Sequence, residues 1–236
     1  MQRVFPGISV LRMDADTTKR KLSHQMMFDK FKKENISVLL GTQMVTKGLD
    51  FPSVTLVGVL SADSLLNLDD YRANERTFAQ LTQVCGRAGR GEIPGRAVIQ
   101  TYNPSSTVLK LAQTQDYKAF YQGEIKLRAL LHNPPFVKMI SLMVSSERES
   151  QAAEYAGRLA ELLKRIFQKY PQLCVAFYGP APAPITRIKN RFRYRILLKM
   201  VVDEKVYDLF AKVQQWHIQN KSKCLLDIML DPENVL

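Results

Sequence analysis

The chain has 236 residues, of which 46% are hydrophobic and 24% are charged. This composition is typical of a soluble globular protein with one large domain or two small ones, and it excludes disordered, collagen-like and coiled-coil proteins. Lysine and arginine outnumber aspartate and glutamate by 34 to 22, which gives a formal net charge of +12, so the surface is expected to attract polyanions such as DNA, RNA or acidic membranes.

The first half of the chain alternates short apolar runs with helical periodicity. The predicted elements are a strand at 8–13, a helix capped by Thr17 and Thr18 whose apolar residues Leu22, Met26, Met27 and Phe31 recur at helical spacing, strands at 37–40 and 54–60, a helix at 75–86 and a strand at 96–101. In the helix at 75–86, Phe78, Leu81 and Cys85 are predicted to face inward. Alternating strands and helices predict an α/β fold with a parallel sheet covered by helices.

The second half changes to the pattern of a smaller α+β domain. After a predicted helix at 117–131 and a break at Asn133-Pro134-Pro135, the elements are a strand at 139–145, a helix at 150–168, strands at 173–178 and 192–201, a helix at 204–219 and a strand at 224–230. The order βαββαβ is that of a split βαβ sandwich. The predicted inward residues of its helices are Ala152, Tyr155, Ala156, Leu159, Leu163, Ile166, Val206, Leu209, Phe210 and Val213. We therefore predict two domains, 1–116 and 117–236, without a flexible linker.

The segment Gln80–Arg90 reads QLTQVCGRAGR and contains the pattern Q-x-x-G-R-x-G-R from Gln83 onwards. If a helix continued through it, its two leading glutamines would share one polar face with Arg87 and Arg90. Two guanidinium groups on one face suit the negative charge of a phosphoryl group in transfer, because each binds oxygens bidentately and stays charged. The alternative is an amphipathic helix that ends in a basic, glycine-terminated turn.

A second segment, residues 41–52, reads GTQMVTKGLDFP and lies where a strand ends and a short helix would begin. At such a junction backbone N–H groups are available to bind a phosphate. Thr42 and Gln43 would add side-chain donors, and Asp50 would accept a hydrogen bond from a ribose hydroxyl. The alternative is an ordinary loop in which glycine and aspartate are turn residues.

The segment Thr186–Ile196, TRIKNRFRYRI, is strongly basic. Cations occupy every second position, so an extended ribbon would present all of them on one face and its apolar side chains on the other. The cations are Arg187, Lys189, Arg191, Arg193 and Arg195, and no acid occurs between Ala181 and Met200. These cations are candidates for contacts with a phosphate backbone, and the alternative is a solvated basic face. Phe192 and Tyr194 are expected to lie largely in the core, with stacking on bases as the alternative.

Cysteine and histidine are too scattered for a metal site. Cys85, Cys174 and Cys224 form no C-x-x-C pair, and the three histidines have no ligand spacing, so we expect neither a disulfide framework nor a bound metal. Trp216 ends a helix, where we expect packing in the core or a domain interface. No apolar run approaches the roughly 18 residues of a membrane-spanning helix, and the N-terminus lacks a signal-peptide core, so a cytoplasmic location is expected.

Residues 41–52 and 80–90 together resemble motifs V and VI of the second RecA-like lobe of superfamily 2 helicases. The stretches FPGISVLRMDADTT, GTQMVTKGLDFPSVTLVGVLSAD, YRANERTFAQLTQVCGRAGR, NPPF and YGPAPAPI extend the resemblance, over essentially the whole chain, to the bacterial primosomal replication-restart helicases. The implied fold is a RecA-like parallel-sheet lobe followed by a smaller, S10-like α+β domain. The implied function is that of an ATP-dependent 3′–5′ DNA helicase, which binds stalled or abandoned replication forks and promotes primosome assembly and replication restart.

The resemblance also implies roles for individual residues. Gly48 and Asp50 would bind nucleotide, together with two arginines that also supply arginine-finger charge. Gln83 would couple ATP to DNA, which makes the implied catalytic set Gln83, Arg87 and Arg90. Thr42 and Gln43 would face the DNA strand that the enzyme tracks, and the C-terminal domain would bind DNA.

The chain contains no G-x-x-x-x-G-K-[ST] phosphate loop, since it has no Gly-Lys dipeptide. The acidic sequence VVDE at 201–204 is assigned to the end of a strand and the start of a helix. By resemblance the chain is therefore a C-terminal fragment, inactive as an ATPase alone, of a protein that uses ATP and Mg²⁺ and carries zinc in a cysteine-rich region missing here. The implied partners are single-stranded and forked DNA, other primosome proteins and single-stranded DNA-binding protein, in the bacterial cytoplasm at the nucleoid. The second hypothesis is a non-catalytic nucleic-acid-binding protein with a degenerate RecA-like domain.

Overall fold

A computed structural model of the chain describes residues 4–13, 26–27, 29–31, 33–42, 54–86, 88, 94–220 and 222–232. The chain forms two compact units. Unit 1 comprises Met1–Leu66 and Glu75–Asp116, and unit 2 comprises Asn67–Asn74 and Tyr117–Leu236.

Unit 1 contains two pairs of parallel strands. Strand β1 (Val10–Met13) pairs with β2 (Val38–Gly41), and β3 (Leu56–Val59) pairs with β4 (Arg96–Ile99). The parallel pairing confirms the predicted α/β character, although the described residues form two separate two-stranded sheets. Residues 26–27, 29–31 and 33 are helical, and the helices with described bounds are α1 (Asp63–Leu66), α2 (Ala73–Cys85) and α3 (Thr107–Thr114). The sequence patterns did not predict α1 and α3, because one and two turns respectively are too short to show a helical period.

Apolar side chains on these elements form the described part of the unit 1 core. Met13 at the end of β1 is fully buried against Phe31, with Leu11 and Leu39 packed around the pair. Phe78 and Leu81 on α2 are buried, as predicted. Cys85 is half-buried, and this burial raises the pKa of its thiol, so the group stays protonated. Leu22 lies outside the described residues.

Unit 2 has the predicted βαββαβ order, preceded by helix α4 (Tyr117–Leu130). Its elements are β5 (Lys138–Ser146), α5 (Glu149–Lys169), a 3₁₀ turn (Pro171–Leu173), β6 (Cys174–Ile188), β7 (Arg191–Met200), α6 (Lys205–Gln219) and β8 (Leu225–Leu230). The strands form one antiparallel sheet in the order β6-β7-β5-β8.

Strand β6 is the main departure from the predicted elements, since it extends to Ile188 rather than ending near 178. The residues that suggested a break are three prolines at alternate positions, Pro180, Pro182 and Pro184. The described sheet places β6 at its outer side, where proline is tolerated because one side of the strand makes no ladder hydrogen bonds. The pairing of β6 with β7 shifts register at three places, between Cys174 and Ala176, Tyr178 and Ala181, and Pro182 and Arg187.

Helices α5 and α6 contribute the apolar side of the unit 2 core. Alternate residues of the central strands are fully buried in it: Ile140, Leu142 and Val144 on β5 and Ile196, Leu198 and Met200 on β7. All of the predicted inward residues of the two helices are buried except Ile166, which is half-buried against the same core. Trp216 also packs against this core, with its ring centroid 5.4 Å from that of Tyr155, which confirms the expected packing.

Residues 67–74 are held in unit 2 by polar contacts around Tyr71. Its ring lies between the guanidinium groups of Arg72 and Arg128, which are 4.8 and 5.2 Å from the ring centroid. Arg128 also pairs with Glu124 at 2.9 Å in a largely buried ion pair, and Asn74 donates a hydrogen bond to the same carboxylate. Arg72 donates to the backbone oxygen of Pro232. A hydrogen-bonded and partly buried set of this kind fixes the conformation of the segment.

Candidate nucleic-acid interface

The predicted site residues divide between described and undescribed parts of the chain. Gln43, Gly48, Asp50, Arg87 and Arg90 lie outside the described residues, so their predicted roles stay predictions. The described ones are Thr42, Gln83, Arg187, Lys189, Arg191, Arg193 and Arg195.

Thr42 and Gln83 lie in unit 1 at exposed positions. Thr42 follows β2 directly, at the carboxyl end of a parallel strand, which is where α/β sheets bind ligands. Gln83 is exposed on α2, whose Phe78 and Leu81 face inward. Helix α2 ends at Cys85 and includes both glutamines, Gln80 and Gln83. The predicted alignment of Arg87 and Arg90 with them lies outside the described residues.

The five cations of the basic segment do not lie on one extended ribbon, and this prediction was wrong. Strand β6 ends at Ile188, β7 begins at Arg191, and the chain reverses at Lys189 and Asn190. Both turn residues have positive φ, 46° and 64°, as the two central residues of a tight hairpin turn do. The signal in the sequence was the asparagine, which tolerates this conformation better than most residues. We call residues 185–195 the basic hairpin.

The register of the basic hairpin places its cations on two faces. Directly opposed residues of an antiparallel pair project to the same side of the sheet. Arg187 is opposite Phe192, whereas Arg191 is opposite Ile188. Because side chains alternate along β7, Arg193 and Arg195 lie on the face of Arg191, and Arg187 lies on the face of Phe192. Lys189 is in the turn between them and is exposed.

Arg191 is engaged within unit 2. Its guanidinium donates to the backbone oxygen of Ser145 at 3.1 Å, and one of its nitrogens lies 3.7 Å from a carboxylate oxygen of Glu147. A second weak contact, at 3.5 Å, reaches the backbone oxygen of Lys223. These contacts join the basic hairpin, next to its turn, to β5 and to the segment before β8, so Arg191 positions the hairpin.

The other two arginines of the basic hairpin on β7 are half-buried. Arg193 donates one hydrogen bond, to the backbone oxygen of Ile185 at 3.3 Å, and Arg195 is half-buried opposite Met143. Further along β7, Lys199 donates to the backbone oxygen of Leu131, and burial lowers the pKa of this lysine. The positive row on β7 therefore ends in a structural contact, and its outward charge is concentrated toward the turn.

The aromatic residues of the basic hairpin have different environments. Tyr194 packs against the unit 2 core, as predicted. Phe192 is half-buried but is not among the residues of that core. Instead the guanidinium carbon of Arg187 lies over its ring, 4.9 Å from the centroid. The expectation that both rings lie largely in the core therefore holds for Tyr194 alone.

No group of three or more histidine, cysteine, aspartate or glutamate side chains suited to a metal ion occurs among the described residues. His217 lies instead 2.6 Å from the hydroxyl of Tyr155, measured at its Nδ1. Burial raises the pKa of Tyr155 to about 12, and its hydroxyl shares a hydrogen bond with this nitrogen. Within the described ranges, none of the helices combines the length and apolar character that crossing a bilayer requires.

Two family models match the chain. Residues 1–92 match the helicase conserved C-terminal domain, and residues 129–233 match the primosomal protein N C-terminal domain. The second match includes the whole βαββαβ unit and the basic hairpin.

Curated relatives match along most of the chain. The replication restart protein PriA of Bacillus subtilis is 43% identical over 213 residues, which cover 90% of this chain and 26% of the relative. PriA of a Synechocystis species is 41% identical over 231 residues, covering 98% of this chain and 27% of the relative. PriA of Chlamydia pneumoniae is 39% identical over 199 residues, covering 84% and 26%. The chain thus spans about a quarter of the length of these relatives.

Proposed function

We propose that this chain supplies the second lobe and the DNA-binding domain of an ATP-dependent 3′–5′ DNA helicase. The chain belongs to the PriA family of replication restart proteins and corresponds to their C-terminal part. The complete protein would bind stalled or abandoned replication forks and promote reloading of the replication machinery. Its substrates would be single-stranded and forked DNA, and its partners other primosome proteins and single-stranded DNA-binding protein. It would act in the cytoplasm at the nucleoid.

The two units would divide the work. In unit 1, Arg87 and Arg90 would stabilise the phosphoryl group in transfer, and Thr42 and Gln43 would contact the tracked strand. ATP, Mg²⁺ and the zinc of a cysteine-rich region are cofactors of the complete protein in this proposal. Among the described residues, no three or more histidine, cysteine, aspartate or glutamate side chains are grouped to hold a metal ion. In this proposal the metal and most of the nucleotide would be bound by the first helicase lobe.

The observation that best supports DNA binding is the charge of the basic hairpin. Five cations lie within nine residues, and no acid occurs between Ala181 and Met200. The nearest acid with a described contact is Glu147, which lies beside Arg191. Cations concentrated in this way bind a phosphate backbone by releasing its condensed counterions, so the affinity depends on salt rather than on sequence.

A first prediction concerns the salt dependence of DNA binding by the 236-residue chain. Replacing Lys189 and Arg193 together by glutamine is expected to weaken binding and to lower the slope of log affinity against log salt by roughly one to two units. Arg191 is left intact because its contacts position the hairpin. The measurement is a titration of labelled single-stranded and forked DNA at several salt concentrations.

The matched control removes the same charge elsewhere in unit 2. Lys169 on α5 and Lys212 on α6 are exposed, and replacing both by glutamine should leave the slope unchanged within about half a unit. If the two double variants behaved alike, the hairpin would contribute only its net charge. DNA contacts would then have to be sought around Thr42 in unit 1.

A second prediction concerns the catalytic capacity of the chain alone. Because the chain has no phosphate loop, its rate of ATP hydrolysis should not exceed that of protein-free buffer. This should hold both with and without single-stranded DNA. The assay is phosphate release across gel-filtration fractions. Hydrolysis that co-elutes with the chain and is stimulated by DNA would contradict the proposed division between two lobes.

A further inference from the structure

The tip of the basic hairpin contains a stacked pair that separates Arg187 from the other cations. The guanidinium of Arg187 lies over the ring of Phe192, with its carbon 4.9 Å from the ring centroid. The same guanidinium donates a hydrogen bond to the side-chain oxygen of Asn190 in the turn. The register places Arg187 directly opposite Phe192, so the backbone itself brings the two side chains together.

These contacts hold a long, exposed side chain in one place. An exposed arginine normally samples many rotamers, and fixing it costs conformational entropy. In the basic hairpin the ring, the asparagine oxygen and the strand register supply the fixing interactions before any ligand arrives. The result is a guanidinium held over the ring of Phe192 on a residue that is exposed to solvent.

A preorganised flat cation suits a nucleobase better than it suits a phosphate. One guanidinium donor is already used by Asn190, which reduces the capacity for bidentate phosphate binding. The guanidinium face away from Phe192 can stack on a base, as arginine and aromatic planes do in complexes with single-stranded nucleic acids. Bases within a duplex have both faces covered, so the stack selects an unpaired or terminal base.

We infer that Arg187 and Phe192 form a stacking platform for an unpaired base of single-stranded DNA, while Lys189 and Arg193 contact the adjoining phosphates. This inference rests on the proposed DNA binding and adds strand-type selectivity to it. The two faces of the hairpin then bind different parts of the DNA strand. The Arg187 face stacks on an unpaired base, and the Arg193 face contacts the phosphate backbone.

The test removes the planar guanidinium group of Arg187 and keeps its positive charge. Arg187→Lys retains one positive charge at the same position but cannot present a planar face, and Arg165→Lys, at an exposed position on α5, is the matched control. Phe192→Leu retains apolar volume and removes the ring. The whole 236-residue chain is titrated with an oligonucleotide that carries 2-aminopurine, whose fluorescence falls when the base stacks, and with a blunt duplex of the same length.

Arg187→Lys and Phe192→Leu are expected to weaken single-strand binding by roughly tenfold and to abolish the fluorescence change. The salt slope and the affinity for the blunt duplex should stay as in the parent, since phosphate contacts are kept. Arg165→Lys should bind both oligonucleotides and retain the fluorescence change as the parent does. Circular dichroism at the same concentrations checks that every variant is folded.

Two outcomes separate the inference from the function on which it rests. If Arg187→Lys binds single strands and changes the fluorescence as the parent does, while the Lys189 and Arg193 double variant is weakened, the platform is refuted and the DNA-binding proposal stands. If the parent chain binds neither oligonucleotide, both fail. An equal loss of single-strand and duplex affinity in Arg187→Lys would also refute the platform, because it would show that Arg187 acts as a phosphate contact.

Discussion

Replacing Arg90 by alanine is expected to slow ATP hydrolysis by about 10³-fold or more in a protein that joins this chain to the first helicase lobe of its family. The reason is that an arginine finger stabilises charge that develops only in the transition state, so its loss lowers turnover more than binding. DNA affinity should change little. The measurement is DNA-stimulated phosphate release at saturating ATP, together with a DNA titration of the same preparation.

Arg96 provides the matched control for this variant. It is an exposed arginine at the start of β4 in the same unit, and its backbone N–H, which pairs with Thr55, is kept when the side chain is shortened. Arg96→Ala should hydrolyse ATP within about twofold of the parent. A parent-like rate for Arg90→Ala would refute its assignment as a finger and would leave Arg87 as the remaining candidate.

Replacing Gly179 by alanine is expected to lower the free energy of unfolding of unit 2 by about 2–4 kcal/mol. Gly179 has a φ of +96°, a conformation that side-chain-bearing residues rarely adopt. An added Cβ would also lie 2.5 Å from the backbone oxygen of Arg195 on the paired strand, which cannot move without breaking the ladder. Urea unfolding followed by fluorescence reports on unit 2 directly, because Trp216 is the single tryptophan and packs in its core.

Gly157→Ala is a control for which we expect the free energy of unfolding to change in the opposite direction. It lies inside α5, where an added Cβ meets open space, so alanine should raise the free energy of unfolding by about 0.5–1 kcal/mol through its helix propensity. If Gly179→Ala unfolded at the same urea concentration as the parent, the close approach of β6 and β7 at this point would be absent in solution.

The order of elements in unit 2 could be predicted because its periodicities are long and consistent. The 21 residues of α5 repeat Tyr155, Leu159 and Leu163 at helical spacing, and β7 alternates Ile196, Leu198 and Met200 with polar or half-buried neighbours. Patterns of this length indicate one structure only. The 4-residue strands and the short helices of unit 1 carry less information, and α3 was missed for that reason.

The arrangement of the basic residues could not be predicted from their spacing. A cation at every second position has the same pattern in one straight strand as in two strands joined at Lys189 and Asn190, since a two-residue turn preserves the alternation of residue types. The two arrangements differ in the positive φ of the turn residues, and a lysine in the sequence does not indicate a positive φ. The contact between Arg187 and Phe192 depends on the register of the two strands, so the spacing of the residues could not predict it either.

The sequence patterns also could not predict that residues 67–74 belong to unit 2. A boundary placed by composition assumes that each domain is one continuous stretch, and here the segment around Tyr71 precedes a helix of unit 1. Its contacts to Arg128 and Pro232 involve residues far away in the chain, and no local pattern reports such distances. The motif residues Gly48, Asp50, Arg87 and Arg90 remain predictions from resemblance.

The prolines of β6 have a consequence for how the protein behaves at high concentration. A sheet that ends in a row of unpaired N–H groups is a template on which another chain can add a strand, and this is a common route to aggregation. Pro180, Pro182 and Pro184 fall at alternate positions, so the N–H groups they lack would all have pointed to one side of the strand. The three register shifts bend the strand further from the flat shape that strand addition needs. The sequence GPAPAP therefore protects the outer strand of the described sheet against the addition of another strand.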